Sequence, residues 1–177
     1  MTTIEFPEGF HDHVFTDFAA YLSGLERAGG LVIFKCVDLM SIYRIAPYTY
    51  ILDVVRDTAG APRFRVRFAG TETVAALDRD PTGKYLEEIN VGPEREDVID
   101  IYSSMLETRC PSASRSGFLV THPSNLNHFD EHTVTLKRVV FPLTDSGEAI
   151  DYFIGALVRV NETSAETGFT RIDFDMP

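Results

Sequence analysis

Read as an extended strand, Ile150 to Val160 is apolar on both faces. Tyr152, Ile154, Ala156 and Val158 fall on one side, Phe153 and Leu157 on the other. A strand with water on one side alternates apolar and polar residues more cleanly. Any fold for this chain must therefore cover both faces of the sheet that holds this segment. The cover nearest to hand is an amphipathic helix from about His13 to Arg27, where Phe15, Phe18, Ala19, Leu22 and Leu25 recur at the helical period. Gly29-Gly30 is expected to stop it, because glycine readily takes the left-handed conformation of a helix end. A partner subunit is the other candidate cover.

The remaining elements follow from period and punctuation. Asp38 is placed to cap a short turn through Met40, Ile42 and Tyr43 before Pro47. Tyr48 to Val55 is β-branched and aromatic, Arg56 to Pro62 carries turn residues, and Arg63 to Phe68 alternates strictly, which together predict a hairpin. Phe64, Val66 and Phe68 are expected on one face, with Arg63, Arg65 and Arg67 on the other. Gly70 opens a short helix carrying Val74, Ala75 and Leu77. Asp80-Pro81 is a cap-and-first-turn pair for another. From Pro93 a longer helix is predicted, with Glu94 and Glu96 at its positive end and Val98, Ile101, Tyr102, Met105 and Leu106 as its buried stripe. Ser112 to Val120, Thr133 to Leu143 and Ile150 to Val160 are the last three strands, the final pair joined by a turn at Thr144 to Glu148. Two strands, then helices, then three strands describe one α+β domain with an antiparallel sheet.

The chain has 177 residues, and its 27 acidic and 16 basic side chains leave a net charge of −11. That balance opposes phosphate backbones and anionic lipid, so neither nucleic acid nor a membrane surface is an expected partner. There is no apolar run long enough to span a bilayer. The first residues lack the basic start and apolar core of a signal peptide, so the expected location is the cytoplasm. Cys36 and Cys110 are isolated and read as reduced packing residues. One domain is expected over 13–162, including an N-terminal helix at 13–28, between a flexible N-terminus (1–12) and a C-terminal tail (163–177).

Three blocks carry a resemblance. Arg63-Phe64-Arg65-Val66-Arg67-Phe68-Ala69-Gly70-Thr71-Glu72, then Asp80-Pro81-Thr82-Gly83-Lys84-Tyr85-Leu86, then Val140-Phe141-Pro142-Leu143 with Gly147 and Tyr152-Phe153-Ile154-Gly155 resemble, in order and spacing, a PAS-like family common in alphaproteobacteria. The resemblance spans roughly residues 15 to 160. It implies a PAS-like fold, with a five-stranded antiparallel sheet, helices packed on one face and the N-terminal amphipathic helix in addition. It also implies a sensory or interaction role, and carries over no catalytic residues. Gly70, Asp80 and Gly83 have structural readings: Gly70 at a strand-to-helix handover where a side chain has little room, Gly83 as a left-handed cap after a one-turn helix.

Chemistry-bearing clusters are few. His122 to His132 holds His122, His128, His132, Asp130 and Glu131, a donor set for a nitrogen–oxygen metal site or, with Asp130, for acid–base work. No HExxH accompanies them, and the run reads as a polar loop between strands. His11-Asp12-His13 reads as the start of the first helix, with Asp12 or Thr16 as its cap. No nucleophile elbow or phosphate-cradling glycine loop occurs. No histidine lies between Thr71 and Thr121 to ligate haem, and neither cysteine sits in a flavin-photoreceptor motif, so no cofactor is expected. Tyr102, Met105, Phe118, Leu136 and Tyr152 are candidate liners of an apolar interior pocket. Arg65, Arg67, Lys137 and Arg138 could orient an anion, although solvated strand faces explain them more simply. The reading that results is a binding module that takes a small molecule or a protein partner and works as a homodimer through the N-terminal helix and outer sheet face. Its competitors are a small cone-shaped enzyme using a His/Asp pair and a ligand-free interaction module.

Overall fold

The computed structural model describes residues 6–89, 95–125, 128–162 and 168–174, excluding the side chains of 118–133 and 161–162. Its elements in chain order are α1 (His13–Ser23), β1 (Arg27–Ala28), β2 (Leu31–Ile33), β3 (Thr49–Arg56), β4 (Pro62–Ala69), α2 (Thr71–Ala76), α3 (Arg95–Thr108), β5 (Ser112–Asn125), β6 (His128–Thr144), β7 (Tyr152–Glu162) and β8 (Gly168–Asp173). Short 3₁₀ turns at Phe34–Cys36, Leu39–Ile42 and Ala46–Tyr48 link β2 to β3, and another lies at Leu86–Glu88. All eight strands form one sheet. Its main run is β8-β5-β6-β7-β3-β4, antiparallel throughout, so the first hairpin lies beside the last long strand. The end of β6 also pairs in parallel with β2, Val32 opposite Leu143.

Both faces of the sheet are covered. On one, α1 lays Phe15, Phe18 and Leu22 against Phe141, Ile154 and Ala156. Phe18 meets Phe141 edge-on, with centroids 5.6 Å apart at 74°. Asp12 caps α1 by accepting from the Val14 amide at 2.9 Å. On the other face, α2 and α3 enclose Leu52, Phe64, Ile101, Tyr102, Met105 and Phe153. α2 is tied to the start of β3 by the Thr73 hydroxyl, which donates to the carbonyls of Tyr48 and Thr49. A methyl group on Gly70 would run into the carbonyls of Ala46 and Pro47, which is why this handover is glycine.

Several expectations are corrected. The sheet has eight strands where five were expected, because β1 and β2 are too short to show a period and β8 is mostly exposed. α1 stops at Ser23, five residues short of the expected 28. Gly24 closes it by donating to Leu22 and Tyr21, and Gly29-Gly30 instead turn β1 into β2. Phe68 does not share a face with Phe64 and Val66. Ile51 faces Phe68 while Leu52 faces Val66, so Arg67 is an extra residue and the pattern inverts across the bulge. Asp80 to Leu86 forms no one-turn helix. Asp80 accepts from the Thr82 amide and Lys84 donates to Pro81, making a turn whose third residue, Gly83, has φ +83°. Gly83 and Lys84 then bond both backbone groups of Val66, latching the turn onto the outer edge of β4. The run 121–132 is not a loop, since its described backbone forms the arms of β5 and β6. Nor do the described residues toward the two ends lie apart from the packed body: Phe6 and Phe10 are buried in the cluster under α1, and β8 pairs with β5.

Candidate functional site

The feature most able to hold a ligand is a cavity of about 60 Å³ between the sheet and its helical cover. Its sheet side comprises Tyr50 and Leu52 of β3, Val66 of β4, Arg138 of β6 and Leu157 of β7. Thr73 and Leu77, Pro81, Leu86, Ile89, and Val98 and Tyr102 of α3 complete the wall. The lining is apolar except for four residues: Arg138, Tyr50, Tyr102 and Thr73, whose hydroxyl is spent on the carbonyls of Tyr48 and Thr49.

Those groups are held tightly. Tyr50 and Tyr102 are both buried, with their oxygens 3.0 Å apart, so one phenol donates to the other. Tyr50 lies across Gly155 in the adjacent strand, and a β-carbon there would overlap its ring. Tyr102 packs edge-on against Phe153 and tilted against Phe64. Arg138 is 6% exposed. It donates to the Ser116 hydroxyl at 3.0 Å, while its Nε has no acceptor among the described residues. Ser114, directly opposite Arg138 on β5, also has a buried hydroxyl with no partner among the described residues.

Burial pushes the Tyr50 phenol well above the ordinary value of 10.0, and the neighbouring Tyr102 pushes it further against the pull of Arg138. Burial raises Tyr102 as well. The folded chain thus keeps protons that the unfolded chain releases. The stability this contributes is full below pH 10.0 and is lost as pH rises above it, through the folded-state values. In a spectrophotometric titration, Tyr50 and Tyr102 are expected to ionise only on alkaline unfolding. Ionisation of either phenol with the fold intact would contradict this.

Of the residues singled out as pocket liners, Tyr102 lines the cavity. Met105 and Leu136 are buried in the same cluster but do not reach it. Tyr152 lies on the opposite face, because alternation along β7 turns Phe153, Gly155 and Leu157 toward the cavity. It stacks on Phe34 at 4.0 Å and donates to Asp145. The Phe118 side chain lies outside the described residues. So do those of His122, His128, His132 and Asp130, whose backbones sit on β5 and β6 with His122 opposite Asp130. Among the described residues, no group of three or more His, Cys, Asp or Glu is placed to hold a metal. Arg65 and Arg67 both pair with the buried carboxylate of Asp53, and Arg67 also lies over the Phe34 and Tyr152 rings. Arg138 overturns its solvated-face reading. In β6, Leu136, Arg138 and Val140 share one face by period two, and a single cation on that apolar face was the signal for a buried site.

The chain is thus a one-sheet α+β module with a small, mostly apolar interior cavity. No family model matches it, and no curated protein matches it. Among solved structures it is similar to the crystal structure of a Rhodobacter sphaeroides LOV protein, at 13% identity and a TM-score of 0.38, over 70% of this chain and 69% of that one. Among the described residues, no helix is long and apolar enough to cross a membrane.

Proposed function

We propose that this chain is a sensory or regulatory PAS-type domain, a cytoplasmic binding module and not an enzyme, that holds a small molecule between its sheet and helices. In this reading it signals by associating with a second copy or another protein. The three sequence blocks that resemble the alphaproteobacterial PAS-like family support the class, as does a sheet in which the first hairpin sits beside the last strand. The observation that carries the reading is the cavity itself, where one buried cation and two buried hydroxyls converge in an apolar wall. Apolar walls with a few aimed polar groups are the usual form of a small-molecule site. The face under α1 is already filled by Phe15, Phe18 and Leu22, so association is expected to use surfaces other than that sheet face.

Native mass spectrometry of freshly purified protein, paired with an absorption spectrum, tests the proposal. The expected result is a discrete added mass that is lost on denaturation. The same spectrum gives the oligomer mass and so tests the homodimer. A bare chain that also takes up no small probe on addition would overturn the interior-ligand reading.

A further inference from the structure

Arg138 presents a charge problem that its protein neighbours do not solve. A guanidinium stays ionised in proteins and carries five N–H donors. Buried charges are normally paired, because an unpaired one keeps little of its hydration. Yet Arg138 is 6% exposed and its hydrogen-bond partner is a serine hydroxyl. Among the described residues no carboxylate pairs with it, and none lines the cavity. Its Nε has no acceptor among those residues either. The Tyr50–Tyr102 pair adds a donor, since one phenol proton is spent between the two oxygens and the other is free to point elsewhere. Burial keeps both phenols protonated. Thr73, the other polar residue of the wall, spends its proton on the Tyr48 and Thr49 carbonyls. The charged group and the free donor that remain, Arg138 and the phenol pair, therefore both suit a negative ligand. The rest of the floor, Leu52, Val66 and Leu157, is hydrocarbon and has nothing to offer a second charge.

Size narrows the class further. The space of about 60 Å³ admits only a few water-sized units, each needing on the order of 10–15 Å³ on this measure, so the part of a ligand held inside it is short.

We propose that the cavity takes a short aliphatic monocarboxylate, its carboxylate against the Arg138 guanidinium and the tyrosine hydroxyls and its alkyl part against Leu52, Val66 and Leu157. This rests on the interior-ligand reading above and adds the chemical class. A planar carboxylate matches the guanidinium fork, with charge-assisted bonds stronger than neutral ones.

The test is calorimetric titration of the full chain with sodium propionate, propionamide, sodium nitrate and sodium succinate. Propionate is expected to bind at least about tenfold more tightly than its neutral amide, as expected when a hydrogen bond to a charged group is lost. Nitrate, which keeps the planar charge without the tail, and succinate, which adds a second charge, are both expected to bind more weakly. Arg138→Met should abolish the preference for propionate over propionamide. Arg138→Gln, which keeps a polar side chain without the charge, should likewise abolish the preference for propionate, and this holds even if Arg138→Met fails to fold. Equal binding of propionate and propionamide overturns the anion assignment while leaving the interior-ligand reading standing. Nitrate binding as tightly as propionate overturns the alkyl part. If no probe enters, propionamide included, both readings fall together.

Discussion

Replacing Phe18 with alanine is expected to cost about 3–5 kcal/mol of stability, the range for truncating a fully buried aromatic side chain. Phe18 is wholly buried between α1 and the sheet, edge-on to Phe141, at the centre of the stripe Phe15, Phe18 and Leu22 that attaches α1. In a chain of this size that loss should lower the midpoint of thermal unfolding by roughly 10 °C. Urea unfolding gives the free energy directly. Met40→Ala, at a side chain 79% exposed, is the matched control and should change stability by less than about 0.5 kcal/mol. If Phe18→Ala proved as mild as the control, α1 would not be the cover that the doubly apolar β7 requires.

Gly155→Val is the second large effect, and it reaches the cavity. A side chain at 155 meets the ring and hydroxyl end of Tyr50, which is buried and can yield only by moving into the cavity it lines. Overpacking of this kind costs about 1–3 kcal/mol. Displacing Tyr50 should also break its bond to Tyr102 and lower the ionisation midpoint of Tyr50, which burial and Tyr102 hold up. Urea unfolding reads the first consequence and the tyrosine titration the second. A variant of unchanged stability with an unchanged titration would place Tyr50 away from the β7 backbone and remove it from the site.

The parts of the fold that were legible in the sequence are those where period and burial coincide. The stripe Phe15, Phe18, Leu22 and the stripe Val98, Ile101, Tyr102, Met105 each face one layer, so the helical period shows them directly. The hairpin of β3 and β4 was visible from its alternation, but its bulge was not. A single inserted residue leaves the apolar pattern of Phe64, Val66 and Phe68 unbroken in one dimension while inverting it in three. The arms of β5 and β6 near His122 and His132 carry polar residues, so they read as loop although they pair as strands. Only Tyr102 of the cavity was named in advance as a liner. Tyr50 was missed, and Arg138, though named among cations that could orient an anion, read as part of a solvated face, because each sits in a strand whose other features explained it adequately. What makes them a site is convergence across β3, β6 and α3, which no local period records.

The turn at Asp80 to Lys84 has a further consequence. It occupies the backbone groups of Val66 on the outer strand, while Arg63 lies 3.7 Å over the ring of Tyr85 and pairs with Glu87. An exposed strand edge is a template for adding strands from other molecules. Here that template is already engaged. Strand-by-strand aggregation from this side must wait for the 80–88 latch to lift, a local opening that precedes global unfolding. Storage life in concentrated solution should therefore follow the strength of this latch more closely than the depth of the core.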